Sequence, residues 1–224
     1  MTKINRDSLS EITKNIQHSF QQKDYIDALR IAEEGFNLFP DQRLLFYFWQ
    51  ITLNAAMGKS TTWLDLLESA LSEGLWFNEI LLRWNPMFSA FQDLPRFREA
   101  INKNNEIMDI DPERKYPMLL LHAQGKCQAG GTPCPLLFGL YANDSTAIKS
   151  LPYWKPATAL DWLVAVPQSS QAKWKGAYIW DDRELSQSEV ARHFSKLSKQ
   201  YSIDPFKVIL AGVFAAETSQ YGSH

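Results

Sequence analysis

Three serines, Ser145, Ser169 and Ser170, stand just after short apolar runs. In an α/β sheet, that is the side on which reacting side chains gather. A serine becomes a nucleophile when a neighbouring histidine takes its proton and an acid orients that histidine. The chain has four histidines, and none has a sequence position that sets it beside these serines. His18 lies in a polar stretch and reads as solvated. His122 ends an apolar run and His193 lies on an amphipathic segment, both settings of structural histidines. Cys127 and Cys134 flank a Gly-Gly-Thr-Pro loop. Two cysteines without a His or Cys pair at ligand spacing do not make a zinc site, and they are too few for a disulfide framework. A Cys–Cys contact fits the spacing, but free thiols are the cytosolic default. No metal and no cofactor are expected. Trp174, Tyr178 and Trp180, followed by Asp181, form an aromatic cluster that fits either core packing or an apolar substrate wall.

The elements that would position these residues divide the chain in two. Residues 1–108 read as helix throughout. Leu9, Ile12, Ile16 and Phe20 share one helical face. Tyr25, Ala28, Ala32 and Gly35 follow, and Pro40 closes that helix. Residues 44–57 form a very apolar helix ended by Gly58. Trp63, Leu64, Leu67, Ala70 and Leu71 mark another, ended by Gly74. Shorter helical pieces follow at 80–84 and 97–101. Short helices with short turns pack as antiparallel hairpins. Residues 109–117 are charged, carry two prolines and read as a surface linker.

From residue 118 the pattern changes. Apolar runs at 118–122, 136–141, 160–166 and 208–213 are bounded by turn residues, as buried strands are. A helix lies before the last run. Ser186 and Glu189 are spaced as a capping box, and Val190, Phe194, Leu197 and Tyr201 form its inward stripe. A strand–helix–strand connection of this length predicts a parallel crossover, hence an α/β sheet over 118–224.

Length and composition set outer bounds. The chain has 224 residues, 45% of them hydrophobic and 21% charged, with a formal net charge of −2. That balance builds a real core and leaves no basic footprint for nucleic acid. The longest apolar runs, such as 44–49, are too short to span a membrane. No apolar h-region follows the first charges, so no secretory signal is expected. These features predict a cytoplasmic location.

Two resemblances sharpen the reading. The spacing Tyr25, Ala28, Ala32, Gly35, Pro40 resembles one tetratricopeptide repeat, with a degenerate second copy over 44–74. It implies a peptide- or partner-binding surface, or a self-association contact, on the helical half. Residues 117–213 resemble the first half of a carboxylesterase/phospholipase-type α/β-hydrolase, and three segments carry this. Pro135-Leu136-Leu137-Phe138-Gly139-Leu140-Tyr141-Ala142-Asn143 looks like the strand entering the oxyanion loop. Val164-Ala165-Val166-Pro167-Gln168-Ser169-Ser170, with Trp180-Asp181-Asp182, looks like the next strand and its substrate-side loop. Ile203-Asp204-Pro205-Phe206-Lys207-Val208-Ile209-Leu210-Ala211-Gly212 looks like the strand entering the nucleophile elbow. The implied activity is hydrolysis of a small carboxylic ester through a serine acyl-enzyme. Some bacterial esterases of this kind carry a tetratricopeptide-like N-terminal segment.

The departures from that pattern predict an inactive chain. The elbow Gly-x-Ser-x-Gly reads Gly212-Val213-Phe214-Ala215-Ala216, so Phe214 occupies the nucleophile position and has no nucleophilic atom. The family's acid and base follow the elbow, but only ten residues follow Phe214 and they contain no Asp. This reads as a truncated or frame-shifted form, with ester turnover confined to a full-length parent. By alignment the oxyanion donors are the backbone N–H groups of Asn143 and Ala215, and Tyr141-Ala142 replaces the family's His-Gly. A strand normally central to the sheet becomes an edge, which predicts self-association through it. The alternative is a non-enzymatic binding or scaffold module that uses the helical half.

Overall fold

Helices form where the spacing of small and apolar residues lets neighbouring helices approach. The computed structural model describes residues 6–59, 61–115, 119–122 and 131–212. The chain divides into two compact units, Met1–Ile110 and Asp111–His224. The first unit is helical among its described residues, and the second combines helices with a small sheet in which three strands run parallel.

In the first unit α1 (Arg6–Gln21), α2 (Tyr25–Leu38), α3 (Arg43–Ala56) and α4 (Thr62–Ser72) each pack on the next, and α5 (Glu79–Arg83) and α6 (Pro95–Ile110) complete it. Ala28, Ala32 and Gly35 are the buried residues of α2. Gly35 is required by contact: a Cβ there would stand 2.1 Å from the Phe46 ring of α3. Ile16, Phe39 and Leu53 join Phe46 in one core cluster. Gly58 and Gly74 follow α3 and α4 with φ of +68° and +72°, the left-handed conformation that ends helices and favours glycine. Trp63 is fully buried against the rings of Phe88, Phe91 and Phe97 at 5.4, 5.0 and 5.2 Å. Buried Asn104 of α6 both accepts from the Phe77 N–H at 2.8 Å and donates to its carbonyl at 2.9 Å.

The expected linker at 109–117 is in part helical. Asp109 and Ile110 belong to α6, and α7 (Pro112–Lys115) adds a turn. Pro112 stands at the first position of α7, where a proline loses no hydrogen bond.

In the second unit β1 (Leu119–His122), β2 (Cys134–Leu140), β3 (Leu163–Pro167) and β6 (Ile203–Gly212) form a sheet in the order β1-β3-β2-β6. β1 runs antiparallel to β3, whereas β2 is parallel to both β3 and β6. The crossover from β2 to β3 carries α8 (Ala147–Trp154), which periodicity had not revealed because Pro152 interrupts it. The crossover from β3 to β6 carries a two-stranded ribbon, β4 (Ala172–Trp174) and β5 (Ala177–Tyr178), and then α9 (Arg183–Gln200). Leu136, Phe138, Leu163, Ala165 and Leu197 form the core beneath α9. Cys134 is disulfide-bonded, which corrects the free-thiol expectation.

Two expectations about α9 are corrected. Its N-cap is Asp182, whose carboxylate accepts from the Leu185 N–H at 2.9 Å, so Ser186 lies inside the helix rather than at its start. Aspartate caps as well as serine and stands one turn earlier. The buried residues of α9 are Glu189, His193 and Leu197, and Phe194 is 38% exposed. Of the expected stripe, Leu197 is in the core and Val190 and Tyr201 pack against it, so only Phe194 departs, while Glu189 and His193 add two polar residues to the buried side. Among the described residues, no helix is long and apolar enough to cross a membrane.

Candidate functional site

The carboxyl ends of parallel strands are where an open α/β sheet gathers ligands. Here those ends are Leu140 of β2 and Pro167 of β3, and their following loops converge on one hydrogen-bonded cluster. The Tyr141 hydroxyl oxygen accepts from Gln168 Nε2 at 2.6 Å and from the Ser169 N–H at 2.8 Å. Gln168 Oε1 in turn accepts from the Ala147 N–H at 2.9 Å, satisfying the first turn of α8. All three side chains, Tyr141, Gln168 and Ser169, are buried. Burial raises the Tyr141 pKa far above the usual phenol range, so this oxygen stays protonated and acts as a structural acceptor.

The Ser169 hydroxyl is held by main chain. Ser169 Oγ accepts from the Gln171 N–H at 3.0 Å. The Ser170 N–H donates to both carboxylate oxygens of Glu189, at 3.2 and 3.3 Å. Glu189 is 1% exposed, and Arg192 lies 4.0 Å from it. Its carboxylate reaches the β3 loop instead of capping α9. One turn further on, His193 is buried, and its Nε2 has no hydrogen-bond partner among the described residues. Burial lowers the His193 pKa; Arg192 and Lys196 push the same way and Glu189 opposes them.

A second cluster joins the β2 loop to the ribbon. Asn143 Nδ2 donates to Asp181 Oδ1 at 2.7 Å, and Asn143 Oδ1 accepts from the Trp180 N–H at 3.0 Å. The Asp144 N–H donates to the Tyr178 carbonyl and the Tyr178 N–H to the Ser145 carbonyl, each at 3.0 Å. The Trp180 ring lies 5.5 Å from Tyr141. Tyr178 and Trp174 are 0% and 6% exposed. The Lys173 ammonium sits 4.5 Å above the Trp174 ring.

Of the residues singled out from sequence, Asn143, Trp180 and Asp181 are brought together by direct hydrogen bonds. Trp174 and Tyr178 are buried in the ribbon. Phe214 and Ala215 lie outside the described residues, as does Cys127. Among the described residues, no serine hydroxyl is hydrogen-bonded to a histidine, and no three His, Cys, Asp or Glu side chains converge as a metal site. His18 is exposed on α1. Sequence reasoning missed the roles of Tyr141, Gln168 and Glu189. Only for Glu189 was there a signal, its four-residue spacing to His193 and Leu197.

The helical unit carries a groove of about 860 Å³ between α4 and α6, with Leu71 and Ala100 at its base and Glu68, Arg96, Glu99 and Lys103 around it. Arg96 is held by Glu68 and Asp65, each at 2.6 Å.

No protein-family model matches the sequence, and no curated protein matches it. A solved structure of an uncharacterized protein from Bacillus cereus ATCC 10987 is similar over 90% of this chain and 64% of that one, with 17% identity and a TM-score of 0.38. This chain therefore spans less than two thirds of that neighbour's length.

Proposed function

We propose that the second unit is an ester-hydrolase-type sheet without acyl-transfer activity, and that the protein works by binding through its helical unit. One observation carries the reading. The groups that would do chemistry at the strand ends are committed to one another and to main chain: Tyr141 to Gln168 and Ser169, Ser169 to Gln171, and Glu189 to Ser170. A nucleophilic serine needs a base within about 3 Å of its hydroxyl, and His193 makes no such contact with a described serine. The resemblance to carboxylesterases supports the same conclusion, since it sets Phe214 where the nucleophile belongs. The tetratricopeptide-like spacing of α2 and the groove between α4 and α6 support a peptide- or protein-binding role for the first unit, as a scaffold rather than an enzyme.

The test is treatment of the purified, folded chain with a fluorophosphonate probe, mapping any adduct by mass spectrometry, alongside turnover of short-chain aryl esters. No serine adduct and no turnover above buffer are expected. A stoichiometric adduct with turnover would overturn the reading and name the nucleophile.

A further inference from the structure

We propose that Glu189 and His193 form an acid-sensitive latch between α9 and the loop after β3: a proton on His193 draws the Glu189 carboxylate off the Ser170 N–H and releases that loop from the helix. The two side chains stand one turn apart on the inner side of α9, 1% and 7% exposed. Neither is well satisfied where it lies. His193 Nε2 has no hydrogen-bond partner among the described residues, and a buried polar atom left unpaired is costly. The Glu189 carboxylate has about four acceptor positions. Among the described residues a single N–H, that of Ser170, serves both its oxygens, at 3.2 and 3.3 Å. Arg192 stands 4.0 Å away with its side chain 64% exposed.

A proton on His193 changes which pairing wins. The imidazolium offers the carboxylate a full positive charge, and glutamate four residues before a cation is the favourable order on a helix. The water-poor interior strengthens that pair. The Ser170 N–H is a neutral donor divided between two oxygens, and charge-assisted bonds are the stronger kind.

The groups around the pair leave His193 as the one that responds. Burial disfavours a charge on His193, Arg192 and Lys196 add to that, and Glu189 favours it. β2 brings Cys134, which is disulfide-bonded, and Tyr141 follows its end. β3 brings no titratable side chain. β6 brings Asp204 and Lys207, 3.7 Å apart. The ribbon brings Tyr178 and Lys173, and Lys173 is held by Asp144. Tyr201 packs against the core at the end of α9. Among these side-chain types the imidazole alone ordinarily changes charge between about pH 5 and 8.

The loop has one further tie to α9 among the described residues. The Gln171 side chain holds Asp182 and Ser186 at the start of the helix, while Ser169 is turned to Tyr141 and Gln171. Without the Ser170 contact, the middle of α9 no longer holds the strand-end cluster, and residues 169–171 open locally while the helix stays folded. Amide exchange reads local opening of that kind. The latch stands on burial and hydrogen bonding and is independent of the ester-hydrolase reading.

The test is NMR of the isotope-labelled full chain from about pH 8 to about pH 4.5, following the His193 imidazole and the Ser170 amide together. Both signals are expected to move with one midpoint. Ser170 exchange, corrected for its intrinsic rate, is expected to quicken at least about tenfold across it. In His193→Gln the Ser170 change is expected to vanish. In Glu189→Gln it is expected to vanish as well, and the His193 midpoint to move to lower pH because the favourable charge is gone. A Ser170 amide that stays protected while His193 titrates overturns the proposal. So does a His193 that takes up no proton over this range in the folded chain, or a Ser170 change that persists in His193→Gln. The imidazole and the amide are compared in the wild type, so that comparison decides the matter even where a variant fails to fold.

Discussion

His193 illustrates how one side chain's burial becomes a property of the fold. Its imidazole is held neutral by burial, reinforced by Arg192 and Lys196 and opposed by Glu189. The folded pKa is therefore below the unfolded value of about 6.5. Above that value both states are neutral and His193 contributes no pH dependence. As pH falls below it the unfolded chain takes up the proton first, so stability declines, and the decline levels off below the folded pKa. Urea unfolding between neutral and mildly acidic pH is expected to lose more stability in the wild type than in His193→Gln. Parallel curves for the two would reject this account. The neighbouring Glu189 is already bound to the Ser170 N–H through both oxygens, so a protonated imidazole would compete with the loop that follows β3.

At the scale of the element, α9 is the crossover that fixes both the cluster and β6. Its start is set by Asp182, which caps the Leu185 N–H through its side chain and whose own N–H donates to Gln171 Oε1 at 2.8 Å. Asp182→Ala deletes only the side-chain cap and should cost about 1 kcal/mol. In a unit of this size that is a fall in melting temperature of roughly 4 °C. A thermal melt with an unchanged midpoint would mean that Gln171 and Ser186 hold the helix start without the cap. Glu189, His193 and Leu197 take the buried positions of α9, and Phe194 lies at the border of that side, 38% exposed.

For the whole molecule, the division at Ile110 is a division of cores. The helical unit buries Ile16, Ala28, Ala32, Phe39, Phe46 and Leu53 in one cluster and Trp63 among three phenylalanines. Asn104 closes it by satisfying both backbone groups of Phe77. A unit with its own core folds alone. Residues 1–110 produced separately should give a helical far-UV circular dichroism spectrum with a cooperative thermal transition. A gradual, non-cooperative loss of signal would show that this core is completed from elsewhere.

The sequence by itself determined the helical first half, the strand-like runs of the second and the parallel crossover through α9, because these follow from local periodicity and from glycine and proline at element ends. It also showed that β6 carries apolar residues in succession. Tertiary structure decided what no local pattern encodes. It showed that Glu189 leaves its expected capping role to bind the β3 loop, and that Tyr141 serves Gln168 and Ser169 across 27 and 28 residues of chain. It also showed that α8 survives an internal proline and that Asn143 meets Asp181. Those contacts depend on which strand ends lie side by side, and strand order is fixed by burial of the whole sheet rather than by any segment of it.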